Sequence, residues 1–512
     1  MSAENIYQTG YLSQSPVLKR SAPLELSSDF SLPDYQPEIR RLLSTRVSVL
    51  PPSLYLGNDS AEFSGEIIYH ILYSGNDGSL YSASLTDSYS FSVPVEFSSK
   101  NVAPDDLLPL VYLRPDSVVS RVLGPRKLNF RSKLGSSVEL LSPALFYPRS
   151  NSSSVGEDIQ NLISVSPSRK LKKLTSEPIS VSEFITMDSP TESARIVDHS
   201  ARVFITECSP LQEKLSCKGE ILLKILYCND SESDLPLSLV KKIPFSCLIE
   251  DTELEPSFDC RATAYASDEK LDIEENGINC ELSVTVCAEA QKNEQFSYIK
   301  DSYSTERSCE CNYQSISVPL SLKCSNGNVT QSEAVRLSEA KISPDAKLID
   351  LNGTATVREL TLENGKIVTK GECVYSVVFH HNEEFGAQDV SLPFKYEIDC
   401  RGAINSDVPP QWTAEASIIS SRGRSDGESL FIDSEIAVSL RASNTETVEA
   451  LAEISFGEEL ASKRSEFVIC YPDKNDTLWS VAKRYAVSPD TVKQKNAISE
   501  NDQTFKKKYL LI

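Results

Sequence analysis

The side chains with most chemistry to offer are four histidines and thirteen cysteines. His380 and His381 stand beside Asn382, Glu383 and Glu384, types that attract Zn²⁺. Neighbouring residues of a strand point to opposite faces, so no metal site is expected there. His70 and His199 complete the set, and positions repeat-equivalent to His70 hold Lys224 and Ser376, which share no chemistry with it. The cysteines begin at Cys208, contain no Cys-x-x-Cys, and come closest together at Cys309 and Cys311. Cys280 alternates with Leu282, Val284 and Val286, with Cys287 on the opposite face, as small buried hydrophobes of a reducing compartment do. There is no G-x-S-x-G, phosphate-binding loop, G-x-G-x-x-G or H-E-x-x-H. No catalytic residue, metal or cofactor is therefore expected, and the chain reads as a non-enzyme.

Binding chemistry concentrates instead between Asn475 and Asn496. Leu478, Val481, Ala482 and Tyr485 fall at helical spacing, with Asp476 or Thr477 available to cap the first turn. Ser488, Pro489 and Asp490 announce a second helix, Val487 and Val492 staple its entrance, and Asn496 reads as its left-handed stop. Short apolar runs at 467–471 and 509–512 flank the pair, giving the order strand, helix, helix, strand.

DTLWSVAKRY followed by VSPDTV and an Asn resembles the LysM module, a small βααβ fold that recognises N-acetylglucosamine-containing glycans. The resemblance implies a shallow groove between two loops, here Asn475, Asp476, Thr477 and Leu478 facing Ala497, Ile498 and Ser499. The sequence departs from the family at Asn475 and Ala486, where glycines are usual, and at Thr504 to Lys508, where Pro-Gly is usual. Lys506, Lys507 and Lys508 border the second loop and suit an acidic partner. Trp479 admits two readings, an exposed platform for sugar or partner, or core packing.

Composition sets the frame for these residues. The chain has 512 residues, 40% hydrophobic and 24% charged, with a net charge of -22, which argues against nucleic acid. From Phe467 onward the balance reverses, eight basic residues against five acidic. No apolar leader or membrane-length apolar run is seen, which points to the cytosol.

Most of the chain is repeated. FSGEIIYHILY, CKGEILLKILY and TKGECVYSVVF place Gly-Glu pairs at Gly65, Gly219 and Gly371, 154 and 152 positions apart. Alternate residues from each Gly are apolar, as in Ile67, Tyr69, Ile71 and Tyr73, which predicts a strand packing one face into a core. The Gly itself suits a bulge or a close backbone approach. Polar turns follow at Ser74, Cys228 and His380, then apolar-proline elements at Val93-Pro94, Ile243-Pro244-Phe245 and Leu392-Pro393-Phe394, expected at a strand start or edge. Each repeat opens with a preamble of some helical character, Ile39, Leu42 and Leu43 in the first, leading to strands at Val47–Leu50, Val203–Thr206 and Ala346–Leu351. Joints are expected at Arg149–Ser154, near Ser302–Cys324, and at Asn444–Glu466.

The preamble, the Gly-Glu strand, the apolar-proline element and Asp301-Ser302-Tyr303-Ser304 resemble the SPOCS domain of spore-forming Firmicutes. Three copies before a C-terminal LysM resemble the SipL-like spore-coat assembly proteins of clostridia. The expected fold is mainly β: three tandem antiparallel β-sandwich or barrel-like repeats over residues 1–150, 160–302 and 325–445, and a small α+β LysM domain over 466–512. The resemblance implies a non-enzymatic scaffold on the mother-cell side of the forespore. It would dock a spore-coat morphogenetic ATPase through the LysM domain and further coat or envelope proteins through the repeats. The alternative is a wall or cortex anchor that binds N-acetylglucosamine in peptidoglycan.

Overall fold

A computed structural model describes residues 11–57, 59–95, 107–146, 149–150, 158–187, 194–229, 235–320, 323–364, 366–399, 411–443, 445–460, 468–498 and 509–512. Over these residues it is mainly β, with antiparallel sheets and two short helices. Strands β1 (Tyr11–Ser31), β2 (Ile39–Val49), β3 (Ser53–Leu56), β4 (Ser60–Gly75), β5 (Leu80–Pro94), β6 (Leu108–Gly124) and β7 (Lys127–Phe146) make a first pair of sheets. In one, β4 pairs with β2, β3 and β5; in the other, β7 lies between β1 and β6. Next come β8 (Arg149–Ser150), β9 (Ile159–Thr175), β10 (Ile179–Thr186), β11 (Arg195–Leu211), β12 (Lys214–Cys228), β13 (Leu237–Glu250), β14 (Asp259–Glu274) and β15 (Gly277–Ser304). Here the pairing is β11-β12-β13 and β10-β15-β14. After β16 (Arg307–Pro319), strands β17 (Lys323–Arg336), β18 (Lys347–Glu363), β19 (Lys366–His381), β20 (Glu384–Asp399), β21 (Gln411–Ser425) and β22 (Ser429–Ser443) pair as β18-β19-β20 and β17-β22-β21. The chain ends with β23 (Thr445–Glu459), β24 (Ile469–Cys470), α1 (Leu478–Arg484), α2 (Pro489–Asn496) and β25 (Leu510–Leu511).

The alternation of each Gly-Glu strand explains the sheet pairs. Ile67, Tyr69, Ile71 and Tyr73 of β4, Ile221, Leu223 and Ile225 of β12, and Cys373, Tyr375 and Val377 of β19 are all buried between two sheets. Gly65, Gly219 and Gly371 lie directly opposite Tyr89, Phe245 and Phe394, whose rings cover them. The need for glycine is thus the close approach of an aromatic ring. The bulges sit on the neighbouring strands, between Ile205 and Glu207 and between Val357 and Glu359.

A second bulge joins the three sheet pairs. It falls at Leu43, Val197 and Ile349, each just before the residue that pairs with Leu72, Leu226 or Val378, and all six side chains are buried in one cluster. Around it β5 touches β11, β13 touches β18, and β20 returns to β2, so the sheet pairs close into a ring. An extra residue in a strand turns a side chain off the pleat, and here it supplies the apolar hub.

Several expectations need correction. The preamble of the first repeat is strand β2, preceded only by a turn in which Gln36 N–H donates to Pro33 O. In the third, Arg336 to Lys341 makes a single turn. Val49, Val203 and Ala355 pair with equivalent residues of the Gly-Glu strands, so the third strand counterpart lies beyond Ala346–Leu351. The proline elements lie on edge strands, as expected, but Asp87-Ser88-Tyr89, not Val93-Pro94, is the counterpart of Ile243-Pro244-Phe245. The three expected joints contain strands: β8, β16 and β23 come together in one sheet, ordered β16-β23-β8. This sheet packs Ile316, Val318, Val448, Ala450 and Leu451 onto Phe296, Tyr298 and Ile299 from the far end of β15, where that strand pairs with β9. It forms a fourth layered platform beside the ring.

Candidate functional site

The C-terminal head sits on this platform. Its two strands pair antiparallel, Ile469 with Leu511 and Cys470 with Leu510, and Val481, Ala482 and Val492 fill the space between them and the helices. Thr477 caps α1 in a capping box with Ser480, and Ser488 caps α2 ahead of Pro489. The left-handed stop is Ala497, at φ 50°, not Asn496. Asn496 stays helical and buried, and its amide donates to Leu511 O at 2.6 Å and accepts from Leu511 N–H at 2.8 Å, tying α2 to the final strand. Ala486, where the LysM resemblance leads one to expect glycine, is left-handed at φ 48°.

Trp479 faces the body and packs there. Its indole N–H donates to Asp301 Oδ2 at 2.7 Å, and its ring meets Tyr303 edge-on at 4.9 Å. Lys483, one turn along α1, places Nζ 2.6 Å from Asp301 Oδ1, and Tyr313 of β16 donates its hydroxyl to the same oxygen at 2.7 Å. Tyr303 donates to Val487 O at 2.6 Å, between the helices. Burial opposes ionisation of Asp301, but the donors of Lys483, Trp479 and Tyr313 outweigh it, holding the carboxyl below its usual range. Tyr303 and Cys309 also belong to the apolar core of the head, so body and head share one interior.

The strand that presents Asp301 is itself braced. Ser302 is fully buried and donates to Gln160 O and Asn161 Oδ1, while Ser304 donates to Asp158 Oδ2 at 2.7 Å, a carboxylate also held by Arg307 at 3.0 Å. Every residue of the Asp301-Ser302-Tyr303-Ser304 motif therefore has a part in fixing the head or its seat.

Of the expected groove residues, Asn475 is exposed, and Asp476 accepts from Arg484 Nη2 at 2.6 Å and from Asp473 N–H at 3.0 Å. Leu478 and Ile498 are partly buried in the head core. The N–H groups of Asp476, Thr477, Ala497 and Ile498 are all engaged within the head. Ser499, Lys506, Lys507 and Lys508 lie outside the described residues. Sequence reasoning identified Trp479 but not its acceptor. The available signal was the pairing of apolar Tyr303 with acidic Asp301 at the end of a long alternating strand.

A second polar cluster surrounds the hub of the ring. Arg46 forks onto Asp198 at 2.7 and 3.0 Å and donates to His199 O, while Lys224 pairs with Asp350 and donates to Leu351 O at 2.9 Å. Asp198 and Asp350 occupy the same place after the bulge, where the first sheet pair has Ser44. Burial and nearby Arg46 push His70 down to about 4, and burial pushes Glu269 up to about 7. The Arg46–Asp198 and Lys224–Asp350 pairs tie neighbouring sheet pairs together. Among the described residues no group of three or more His, Cys, Asp or Glu is placed to hold a metal ion, and no helix is long and apolar enough to cross a membrane.

Comparison with protein families finds a match within this mainly β chain. The family is described as SipL, SPOCS domain, and its match covers residues 194–274, from the start of β11 to the end of β14. No curated protein and no solved structure matches the chain.

Proposed function

We propose that the chain is a non-enzymatic scaffold of spore-coat or envelope assembly, with three SPOCS-like units over 1–150, 160–302 and 325–445 and a LysM-like head over 466–512. The observation that carries this reading is the SPOCS match at 194–274, whose strand pairing, bulges and ring-covered glycine recur in the sheet pairs on either side. The head docks a spore-coat morphogenetic ATPase, and the ring offers its outer edges to other coat or envelope proteins at the forespore surface of the mother cell. A protein partner is favoured over a glycan because four loop N–H groups that could meet sugar hydroxyls, those of Asp476, Thr477, Ala497 and Ile498, are engaged within the head.

Purified full-length chain, mixed in turn with the purified coat ATPase and with chito-oligosaccharide, tests the reading. Saturable binding to the ATPase, weakened by replacing Asn475 and Lys506 to Lys508 with alanine, is the expected result. Saturable binding to chito-oligosaccharide with none to the ATPase would make the chain a peptidoglycan anchor instead.

A further inference from the structure

Four cysteines gather at one end of the second sheet pair. Cys208, Cys217 and Cys247 stand directly opposite one another across β11, β12 and β13, and Cys260 reaches the same cluster from β14. The other sheet pairs fill the equivalent places differently. The partners of Cys217 and Cys247 are Phe63 and Phe91 in the first, stacked at 5.1 Å, and Thr369 and Tyr396 in the third. Leu54 and Leu360 stand where Cys208 does. Only in this unit do thiols fill all three of these places. Cys217 is fully buried, whereas Cys208 is half-buried and, with Cys260, lines a cavity of about 290 Å³ whose wall also carries Glu207 and Asp259. The sulfurs of Cys217 and Cys208 are 3.8 Å apart.

We propose that Cys208 and Cys217 form a reversible cross-strand disulfide by exchange with a small disulfide that enters the cavity beside Cys208. Directly opposed residues of antiparallel strands have Cα atoms about 4.5 to 5.5 Å apart, within the span of about 4.4 to 6.8 Å that disulfides bridge. Side-chain rotation then closes the gap without moving the strands. Cys208 attacks first, because Cys217 is held up by its hydrogen bond to Cys208 and by burial. In that step the Cys208 sulfur bonds to one sulfur of the incoming disulfide, whose S–S bond breaks, and the other half leaves as a thiol with the proton from Cys208. The Cys217 sulfur then attacks Cys208 Sγ, and the second half leaves as a thiol with the proton from Cys217. Two protein thiols are oxidised and one external disulfide is reduced.

The reduced full-length chain, incubated with cystamine at mildly alkaline pH, alkylated and digested with trypsin, tests this, since cleavage after Lys214 separates the two cysteines. The cation of cystamine suits Glu207 and Asp259. A crosslinked Cys208–Cys217 peptide pair that dithiothreitol releases is expected. Cys217→Ser should instead retain a cystamine adduct on Cys208, and Cys247→Ser should still crosslink. A stable adduct on Cys208 in the unaltered chain, a Cys217–Cys247 link in place of Cys208–Cys217, or full alkylation of Cys208 after cystamine would each overturn the proposal.

Discussion

The ring of Phe394 occupies the space that a side chain at Gly371 would need: a Cβ there would stand 2.3 Å from Phe394 Cε1 and 2.4 Å from Thr356 O. The backbone oxygen cannot rotate away, so the strand itself would have to shift. Gly371→Ala should destabilise the chain by about 1 to 3 kcal/mol, the range for overpacking. Phe394→Ala combined with Gly371→Ala should not restore stability, because the clash with Thr356 O remains. Urea denaturation of both variants checks this, and recovery in the double variant would place the constraint on the ring alone.

Asp301 is the hinge of head docking. Asp301→Ala removes the acceptor of Trp479, Lys483 and Tyr313 together, and Trp479→Phe removes only one of those bonds. The first should loosen the head by roughly 2 to 4 kcal/mol and the second by about 1 kcal/mol. In a chain carrying Trp412→Phe, emission from Trp479 should shift to the red when Asp301 is replaced. Unchanged emission would mean the head holds its place without that carboxylate.

The same carboxylate gives docking a pH dependence. Its pKa in the fold lies below the ordinary value of about 3.9, so its contribution is complete above that value and is lost as pH falls through the depressed one. Trp479 emission should therefore stay constant from neutrality down to about pH 4 and shift only in more acid solution.

Glu269 behaves in the opposite sense. Burial raises it to about 7, so the stability it contributes is complete below about pH 4.3 and is lost as pH rises through 7. Relative to Glu269→Gln, the unaltered chain should lose on the order of 2 kcal/mol between pH 5 and 8, read from denaturation midpoints. A constant difference across that range would show that Glu269 is ionised throughout.

The hub should respond to charge balance more than to charge number. Asp198→Ala strands Arg46 in the interior and should cost about 3 to 5 kcal/mol, whereas Arg46→Met with Asp198→Leu should be nearly neutral. Thermal denaturation of the three chains distinguishes these outcomes.

Much of the architecture was legible because buried strands alternate and short helices carry caps. β4, β12 and β19 and the pair α1 and α2 fall where pattern placed them. The helical look of Ile39, Leu42 and Leu43 has a physical source: two bulges in β2, between Ile39 and Arg41 and between Leu42 and Ser44, shift the phase of alternation until it imitates a helix. The platform was invisible for another reason. β16 and β23 are half-exposed strands rich in Glu, Ser and Asn, so each alone reads as a joint, and only pairing across more than a hundred residues makes them a sheet. Trp479 could be singled out, but its acceptor lies 178 positions away and no local rule connects them.

The platform also imposes an order on synthesis. Arg149 and Ser150 pair with Glu453 and Ile454, so β8 waits for a partner that leaves the ribosome roughly 300 residues later. Each sheet pair can close from nearby strands as it emerges, but β16 has no partner within its own sheet until β23 follows the third. A chain stopped before Thr445 would keep Asp301 and Tyr303 on β15 but leave β16, which carries Tyr313, without the strand that pairs with it.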